Sequence, residues 1–448
     1  MRYLFITLFV FISLITLPVE GRSILDAEAF YSYDEVPVEV FKEQNTKLSF
    51  EEILNRQDDF HLVKSGELDM SKPESIIWGR FHFENNSMEI KKIFILVGEF
   101  IDHLEVYKPE NSLSLAVLQV GDKIPASEKS YPHRKQVLML HITPGASTYY
   151  FKMASALPLG TQRLRIFDEY SFNKSIQRID IIEACLLGVF AFMIAYNLML
   201  WFSFRVRAYL FYLAYLLAFF VSQIISFQHA AFYLFPETTG GWFVQNAILW
   251  VSSCVAASSC LFTRSFLNMD EKFPHLSRVL LLLSVFFLLC IPLDPYLNDY
   301  NLINLLYQLI AIPTMLYSGF VSAWRGFRPA IFYLIAWSFF VIGASLWNLI
   351  IWNIIDVNFY IGYSPSIGAA IECVLFALAL GYKMRHEQME SQENIELLNA
   401  DLRIKIADIR EKERARTVFF NNTSHELRTP LNGIIGYLEM LHRGKRIH

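Results

Sequence analysis

The sequence predicts a mixed fold with three parts: an exported all-β domain, a bundle of seven membrane-spanning helices and a long cytoplasmic helix. Three observations support this prediction. The 448 residues are 54% hydrophobic and only 18% charged, an apolar share above that of soluble domains. Apolar residues alternate in short runs near the start and run without interruption through the middle, and they recur at helical spacing near the end. The net charge of -4 is small for this length and gives no indication of a nucleic-acid partner.

The chain opens with a segment of signal-peptide type. Residues 1–21 read MRYLFITLFVFISLITLPVEG, with Arg2 before an apolar run and Pro18 before Gly21. This order predicts a secretory signal peptide over residues 1–21, cleaved after Gly21, and an uncleaved anchor is the alternative. In both cases the chain from residue 22 is exported, which in a bacterium means the periplasm.

Residues 22–175 have the pattern of an antiparallel β domain. Short runs with period-two alternation are separated by Gly, Pro, Asn and Ser, and they lie at 76–84, 92–100, 103–108, 135–142, 148–155 and 163–168. A segment of roughly 150 residues is long enough to close one sandwich with its own core. Its histidines, His61, His82, His103, His133 and His141, are scattered without metal-ligand spacing, so ligand binding is expected here rather than catalysis or metal binding.

Residues 176–385 contain seven long apolar runs, which predict seven membrane spans. Their approximate limits are 181–204, 208–234, 242–263, 279–293, 302–324, 329–353 and 362–384. All but the fourth reach the length of about 20 residues that a bilayer core requires of a helix. All five cysteines lie in this region, where small apolar packing residues are expected.

The charges between the spans predict the orientation. The loops after the odd spans hold nine basic residues, and the loops after the even spans hold none. The basic residues are Arg205, Arg207, Arg264, Lys272, Arg278, Arg325, Arg328, Lys383 and Arg385. Because positive charge marks the cytoplasmic side, the N-terminal domain is expected outside and the C-terminus in the cytoplasm of a bacterial inner membrane.

Several polar side chains lie within the predicted spans: Glu183, Asn197, Gln223, Gln245, Asn246, Gln308, Asn348 and Glu372. Ionisable groups inside a membrane are candidates for function. Glu183 lies at the outer end of the first span, where water is expected to reach it, so it is discounted. Glu372 lies well inside the seventh span. It is interpreted either as a protonated carboxyl that hydrogen-bonds a neighbouring helix or as a group with a role in sensing or transmission.

Residues 386–416 form a charged segment without Gly or Pro that predicts one helix. Ile395, Leu398, Leu402, Ile406 and Ile409 recur at spacings of three and four, which makes a helical seam close to an 11-residue stutter. The seam predicts a parallel homodimer. An amphipathic helix on the membrane surface is the alternative, and it is disfavoured because the polar face mixes Glu with Lys.

The final segment, residues 417–448, carries a specific motif. Residues 424–431 read SHELRTPL, and they resemble the H box of the sensor histidine kinases. The resemblance implies that His425 is the phosphoacceptor, that Glu426 is its acid-base partner and that Thr429 positions water during dephosphorylation. It further implies that ATP is the phosphoryl donor, that a response regulator is the partner and that residues 417–448 form the first helix of a dimerisation hairpin.

The front of the chain carries a second, looser resemblance. Trp78, Phe81, Phe83 and Asn86, followed by a strand reading IDHLEVYK and then by seven spans, are similar to the bacterial seven-transmembrane receptors with diverse intracellular signalling modules. The resemblance covers roughly residues 24–385. It implies a jelly-roll exported domain likened to carbohydrate-binding modules, so a carbohydrate is one class of periplasmic ligand to consider.

The ATP-binding domain of a complete kinase is expected after the H box, and the sequence given ends before it. No GxxxxGK[ST] or other phosphate-binding glycine loop occurs in the chain, so this chain alone is not expected to phosphorylate itself. Two hypotheses follow. The first is a sensor histidine kinase whose phosphorelay activity belongs to a longer protein. The second is a non-enzymatic receptor that binds a periplasmic ligand and modulates partner kinases.

Overall fold

The structure is a computed structural model. It describes residues 38–43, 48–63, 67–70, 75–98, 101–109, 118–155, 160–234, 240–297, 300–351, 354–355 and 359–444. The predicted signal peptide, residues 1–21, lies outside the described residues.

The N-terminal part is an antiparallel sandwich, as the alternation predicts. Its strands are β1 (Val38–Lys42), β2 (His61–Val63), β3 (Glu67–Met70), β4 (Ser75–Asn85), β5 (Lys91–Leu96), β6 (His103–Tyr107), β7 (Leu118–Val120), β8 (Val137–Ile142), β9 (Gly145–Ser155), β10 (Gly160–Arg163) and β11 (Arg165–Phe167). Every run predicted to be a strand contains one. The short strands β1, β2, β3, β7 and β10 lie outside these runs, apart from Arg163 of β10, because three to five residues carry too little alternation to stand out.

Two sheets face each other across the main core. One is six-stranded in the order β2-β1-β4-β9-β6-β7, and the other is three-stranded in the order β11-β5-β8, while β10 pairs with β3. The long pair β4 and β9 forms the centre of the larger sheet, with Phe81 opposite Tyr149. Phe81 and Phe151 of the larger sheet and Ile95 and Leu140 of the smaller one belong to a single buried cluster, which confirms the sandwich.

The outer face of the six-stranded sheet is also covered. A short helix, Phe50–Leu54, is capped by Ser49 and Glu52, which satisfy each other's backbone amides. Phe50 packs on Trp78, and Phe50 stacks on Tyr107 with ring centroids 4.7 Å apart. The side chains that alternate away from the main core therefore form a second, aromatic core, and Trp78 is 1% exposed.

Within the described residues, seven helices are long and apolar enough to cross a membrane, in agreement with the seven spans predicted between residues 176 and 385. The first four are Glu169–Phe204, Arg207–Ser226, Gly240–Phe266 and Pro274–Leu297. The fifth comprises Tyr300–Leu306, a π-helical turn Tyr307–Ala311 and Ile312–Trp324, and the sixth is Pro329–Ile351. The seventh is the N-terminal part of Ser364–Gly444. Two short helices, Met269–Lys272 and Phe359–Gly362, lie between spans.

The limits of three spans differ from those expected. The first helix begins at Glu169 because the Asp168 side chain accepts a hydrogen bond from the Ser171 amide and caps it. The second ends at Ser226, where Gln228 adopts a left-handed φ of 64° and a π-helical turn, Ala230–Leu234, follows. The fourth has 24 residues and is not short.

The sixth and seventh spans approach closely through glycine. A Cβ atom at Gly343 would lie 2.3 Å from the Ser364 carbonyl oxygen, and one at Gly368 would lie 2.5 Å from the Phe339 carbonyl oxygen. Small residues let helix backbones come together where apolar side chains gain little from leaving lipid. The Ser364 hydroxyl donates to the Gly343 carbonyl oxygen at 3.0 Å, so the start of the seventh span is held against the sixth.

Candidate functional site

The H-box motif lies on one helix that begins at the seventh span. The helix runs from Ser364 to Gly444 and contains no Gly or Pro between Tyr382 and Thr429. Ion pairs one turn apart support its charged middle, with Lys405 2.7 Å from Asp401 and Lys412 2.8 Å from Asp408. His425 is exposed on this helix, and its imidazole is accessible.

The neighbours of His425 on the helix have distinct roles in the local geometry. Glu426 is exposed next to it, and Thr429, one turn later, donates its hydroxyl to the His425 carbonyl oxygen at 3.1 Å. Pro430 lies inside the helix. Because proline has no amide hydrogen, the Glu426 carbonyl loses its usual donor four residues on. The backbone is thus weakened one turn after the histidine.

Apolar side chains along this helix are exposed in the single chain. In the charged middle they are Ile395, Leu398, Leu402, Ile406 and Ile409, and around the motif they are Phe420, Leu427, Leu431, Ile434, Ile435 and Leu438. Each of these side chains is between 46% and 64% exposed. Side chains of this size at helical spacing form a seam that a second helix can cover. The predicted homodimer remains a prediction.

Glu372 is fully buried in the seventh span. Tyr215 of the second span donates to its carboxyl group, with its hydroxyl 3.0 Å from Oε2 and 3.3 Å from Oε1. About one turn earlier on the same face of the second helix, Tyr212 donates to the Cys373 carbonyl oxygen at 2.9 Å. The hydrogen bonds from Tyr215 agree with the first interpretation of Glu372, that of a carboxyl group hydrogen-bonded to a neighbouring helix. These contacts tie the second span to the seventh.

The other polar groups in the spans also have helix-to-helix or local partners. Asn348 donates to Gln308 at 2.9 Å, and the Ser366 hydroxyl donates to Gln223 at 2.5 Å. Asn197 donates to the Met193 carbonyl oxygen within its own helix. The side chains of Gln245 and Asn246 lie outside the described part of the chain.

Glu183 must be corrected, because it is not reached by water. It is 0% exposed, and three donors converge on it: Arg134, Lys135 at 3.0 Å and the Tyr363 hydroxyl at 3.0 Å. Arg134 and Lys135 come from the β domain, between β7 and β8. The sequence of the first span alone does not indicate that this domain covers the end of the helix. The available indication was the consecutive basic pair Arg134 and Lys135, which directly precedes a strand.

The histidines of the β domain do not converge. His82 lies 3.0 Å from the Thr148 hydroxyl, and His133 Nδ1 accepts the Lys135 amide at 3.1 Å. Among the residues that the structure describes, no group of three or more His, Cys, Asp or Glu side chains could hold a metal ion.

Family models match three consecutive regions of the chain. The 7TMR-DISM extracellular 2 model matches residues 37–162, the 7TM diverse intracellular signalling model matches residues 179–383, and the His Kinase A (phospho-acceptor) domain model matches residues 415–447. The first two cover the β domain and the seven spans. The third contains His425, Glu426 and Thr429.

Two similar proteins are the sensor protein GacS of Pseudomonas syringae pv. syringae and the sensor histidine kinase GacS of Pseudomonas protegens. Each is 38% identical to this chain over 56 residues, which is 12% of the chain and 6% of the relative's length. The likeness therefore concerns a short stretch of much longer proteins. Together, the three models assign to this chain extracellular and membrane domains of the 7TM diverse intracellular signalling type followed by a His Kinase A phospho-acceptor segment, an order consistent with the sensory part of a sensor histidine kinase.

Proposed function

We propose that the protein is the transmembrane sensor of a two-component phosphorelay. A ligand bound to the extracellular domain controls phosphorylation of His425, and the phosphoryl group passes from His425 to an aspartate of a response regulator. The observation that carries this proposal is the SHELRTPL sequence on a helix continuous with the seventh span. The extracellular domain lies in the periplasm, the spans cross the inner membrane and the C-terminus is cytoplasmic.

The chemistry of the motif suits phosphoryl transfer. A neutral imidazole nitrogen is a nucleophile near neutral pH, and His425 is exposed to an incoming donor. Glu426 is the general base that takes the proton from the other ring nitrogen as the N–P bond forms. Thr429 lies one turn away and orients water when the phosphoryl group is removed from the regulator.

ATP is the phosphoryl donor in this proposal, and its binding domain is separate from the residues described. The chain contains no glycine-rich phosphate loop, so no residue of it is assigned to ATP. The exposed seams on the Ser364–Gly444 helix support a parallel homodimer, in which one protomer's helix covers the seam of the other. The ligand is periplasmic, and a carbohydrate is the class that the sandwich domain suggests.

Labelling with ATP tests the proposal directly. The full chain in lipid nanodiscs is mixed with radiolabelled ATP and a soluble ATP-binding domain from a related kinase. We expect acid-labile label on the protein, and loss of that label in His425→Gln. His386→Gln is the matched control, because His386 lies on the same helix and should leave the label intact. An unlabelled chain under all conditions would contradict the enzymatic proposal.

A second candidate is a non-enzymatic receptor that modulates partner kinases. The exposed seam from Ile395 to Ile409 supports it, since this seam could pair with a kinase helix as well as with its own copy. The same assay separates the candidates. A chain that takes no label, yet changes the autophosphorylation rate of an added full-length kinase, supports the second.

A further inference from the structure

The extracellular domain and the first span are joined by an apolar contact. The first helix extends beyond the spanning length, and Phe172 of this extension stacks on Phe94 of β5, with ring centroids 4.4 Å apart and planes 8° apart. Ile179 and Val137 belong to the same buried cluster. Packing of this kind is costly to separate, so the domain and the start of the first span move together.

A cluster of charged side chains, three of them buried, lies next to this contact, and its contacts join four elements. Arg134 of the β7–β8 connection pairs with Asp180 and Glu183 of the first helix and donates to the Phe227 carbonyl oxygen at 3.1 Å. Phe227 lies in the link after the second span. Tyr363, which directly precedes the seventh helix, donates to the other carboxyl oxygen of Glu183. We name Arg134, Lys135, Asp180, Glu183 and Tyr363 the junction cluster.

The cluster has balanced charge and close internal contacts. Two cations, Arg134 and Lys135, face two carboxylates; both cations are 4% exposed and Glu183 is 0% exposed, whereas the Asp180 side chain is 50% exposed. Removing one member of a buried ion pair leaves a poorly compensated charge, which is a large penalty. The Arg134–Glu183 pair is therefore the contact of the cluster that is most costly to break.

The surroundings of the cluster are imperfectly paired. Gln136 of the domain and Gln228 of the link after the second span both donate to Asp122 Oδ1, at 2.6 and 3.2 Å, and the bond from Gln228 crosses the boundary between domain and link. The Oε1 atoms of both glutamines are buried without a hydrogen-bond partner within the described residues, while His229 Nε2 lies 3.6 Å from Glu183 Oε2. Unpaired buried acceptors gain water when an interface opens. This boundary is thus suited to opening, whereas the Phe94–Phe172 contact is suited to staying closed.

From this contrast we infer that the junction cluster is the joint through which the extracellular domain controls the seventh span. The domain and first helix move as one body, and the contacts of Glu183 with Tyr363 and of Arg134 with Phe227 pass that movement to the seventh helix and to the link after the second span. The inference rests on the proposed function, because it assigns the regulation of the helix that bears His425. We call the hydrogen bond from Tyr363 to Glu183 the output contact, because it is the contact that passes the movement to the seventh helix.

Hydrogen exchange of the full chain in nanodiscs tests the joint without any kinase chemistry. In Arg134→Gln and Glu183→Gln, we expect exchange of peptides covering 227–234 and 359–368 to rise by about tenfold, because each substitution removes one charge of the buried Arg134–Glu183 pair and leaves the other poorly compensated. The β4–β9 pair serves as the reference for folding. Lys42→Gln is the matched control, since Lys42 pairs with Asp69 on the exposed surface of the same domain at 2.5 Å. Unchanged exchange in both peptides, with the reference intact, would overturn the inference.

Tyr363→Phe isolates the output contact, because it removes only the hydroxyl that Glu183 accepts and retains the ring that packs near Phe227. We expect faster exchange at 359–368 with no change at 227–234. In the ATP assay, we expect a two- to tenfold change in the labelling rate of His425, roughly the net contribution of one typical intramolecular hydrogen bond. A Tyr363→Phe protein that matches the wild type in exchange overturns the output role. Absence of label in the wild type contradicts the proposed function alone, because the exchange result stands without it.

Discussion

His133 lies beside the junction cluster and remains neutral between about pH 4 and pH 6.5, a range in which a free histidine is protonated. Burial, with the adjacent positive charge of Arg134, lowers its pKa to about 4, while Asp180 opposes the shift. The Lys135 amide donates to its Nδ1 atom, which only an unprotonated nitrogen can accept. Burial and the positive charges of Arg134 and Lys135 lower the pKa of His229 as well.

This shift predicts a loss of stability in acid. Between the ordinary histidine pKa of 6.5 and the folded value of about 4, the unfolded chain binds a proton at residue 133 that the folded chain does not bind. Stability therefore falls as the pH falls through that window, and it is fully present above it. We expect the thermal unfolding midpoint of the nanodisc-embedded protein to drop between pH 7.5 and pH 5, and His133→Gln to flatten this dependence. His61→Gln, at an exposed position, tests whether loss of any histidine has this effect; equal slopes for all three proteins would refute the assignment.

The residue-level features that sequence could predict are those that depend on local pattern. The H box is a contiguous motif, so His425, Glu426 and Thr429 were identifiable from the sequence. Glu183 was not, because its burial depends on Arg134, which is 49 positions earlier in the chain. Periodicity along one helix predicts which face is apolar but contains no information about a distant loop that covers its end.

At the scale of single elements, the central strand pair of the sandwich has a close contact that only glycine allows. A Cβ atom at Gly79 of β4 would lie 2.1 Å from Cζ of Phe151, which is fully buried in the neighbouring β9 and stacks on Phe81. The alternation of β4 predicted a strand. It did not predict this contact or the covering of the second face by Phe50, because both depend on which strand or helix lies next to β4.

We expect Gly79→Ala to destabilise the extracellular domain by about 1–3 kcal/mol, because the methyl group forces the Phe151 ring out of its packed position. Thermal unfolding followed by tryptophan fluorescence measures the change, since Trp78 is buried in this sheet. Adding Phe151→Leu should recover part of the loss, as a smaller side chain leaves room for the methyl group. A single variant as stable as the wild type would show that the strands can separate at no cost.

The Ser364–Gly444 helix is the element that connects the spans to His425, and its continuity suggests that rotation or sliding is transmitted along it. One inserted alanine after Asn399 would turn everything beyond it by about 100° and shift it by about 1.5 Å. We therefore expect the labelling of His425 to change sharply in this variant. An insertion of seven residues at the same point turns the helix by only about 20° from its original phase and should restore much of the wild-type labelling. If both insertions behave like the wild type, transmission through a rigid helix is incorrect.

At the scale of the whole molecule, composition and the pattern of apolar residues predicted the architecture well, whereas the orientation that the charge distribution predicts remains a prediction. Long apolar runs specify spans because a helix in lipid must satisfy its own backbone hydrogen bonds, and the part of the chain that the structure describes contains seven such helices. Their ends were less predictable. Asp168 extends the first helix to residue 169, and Gln228 ends the second earlier than its apolar run suggests. These limits depend on capping and backbone conformation, to which hydropathy is insensitive.

The same charge distribution makes a prediction about orientation that applies to the entire chain. The short connections at 205–206, 267–273 and 325–328 hold Arg205, Lys272, Arg325 and Arg328, whereas the links after the second, fourth and sixth spans hold no Lys or Arg. Because basic residues near span ends are retained in the cytoplasm, we expect phosphatase fusions in bacteria to be active at positions 236, 298 and 356 and inactive at 206, 268 and 326. Fluorescent-protein fusions at the same points provide the matched control, since they fluoresce only in the cytoplasm and should give the opposite pattern. Matching activity on consecutive loops would mean that one span does not cross. An inverted pattern would place His425 outside the cell, where neither ATP nor a response regulator could reach it, and would contradict the phosphorelay itself.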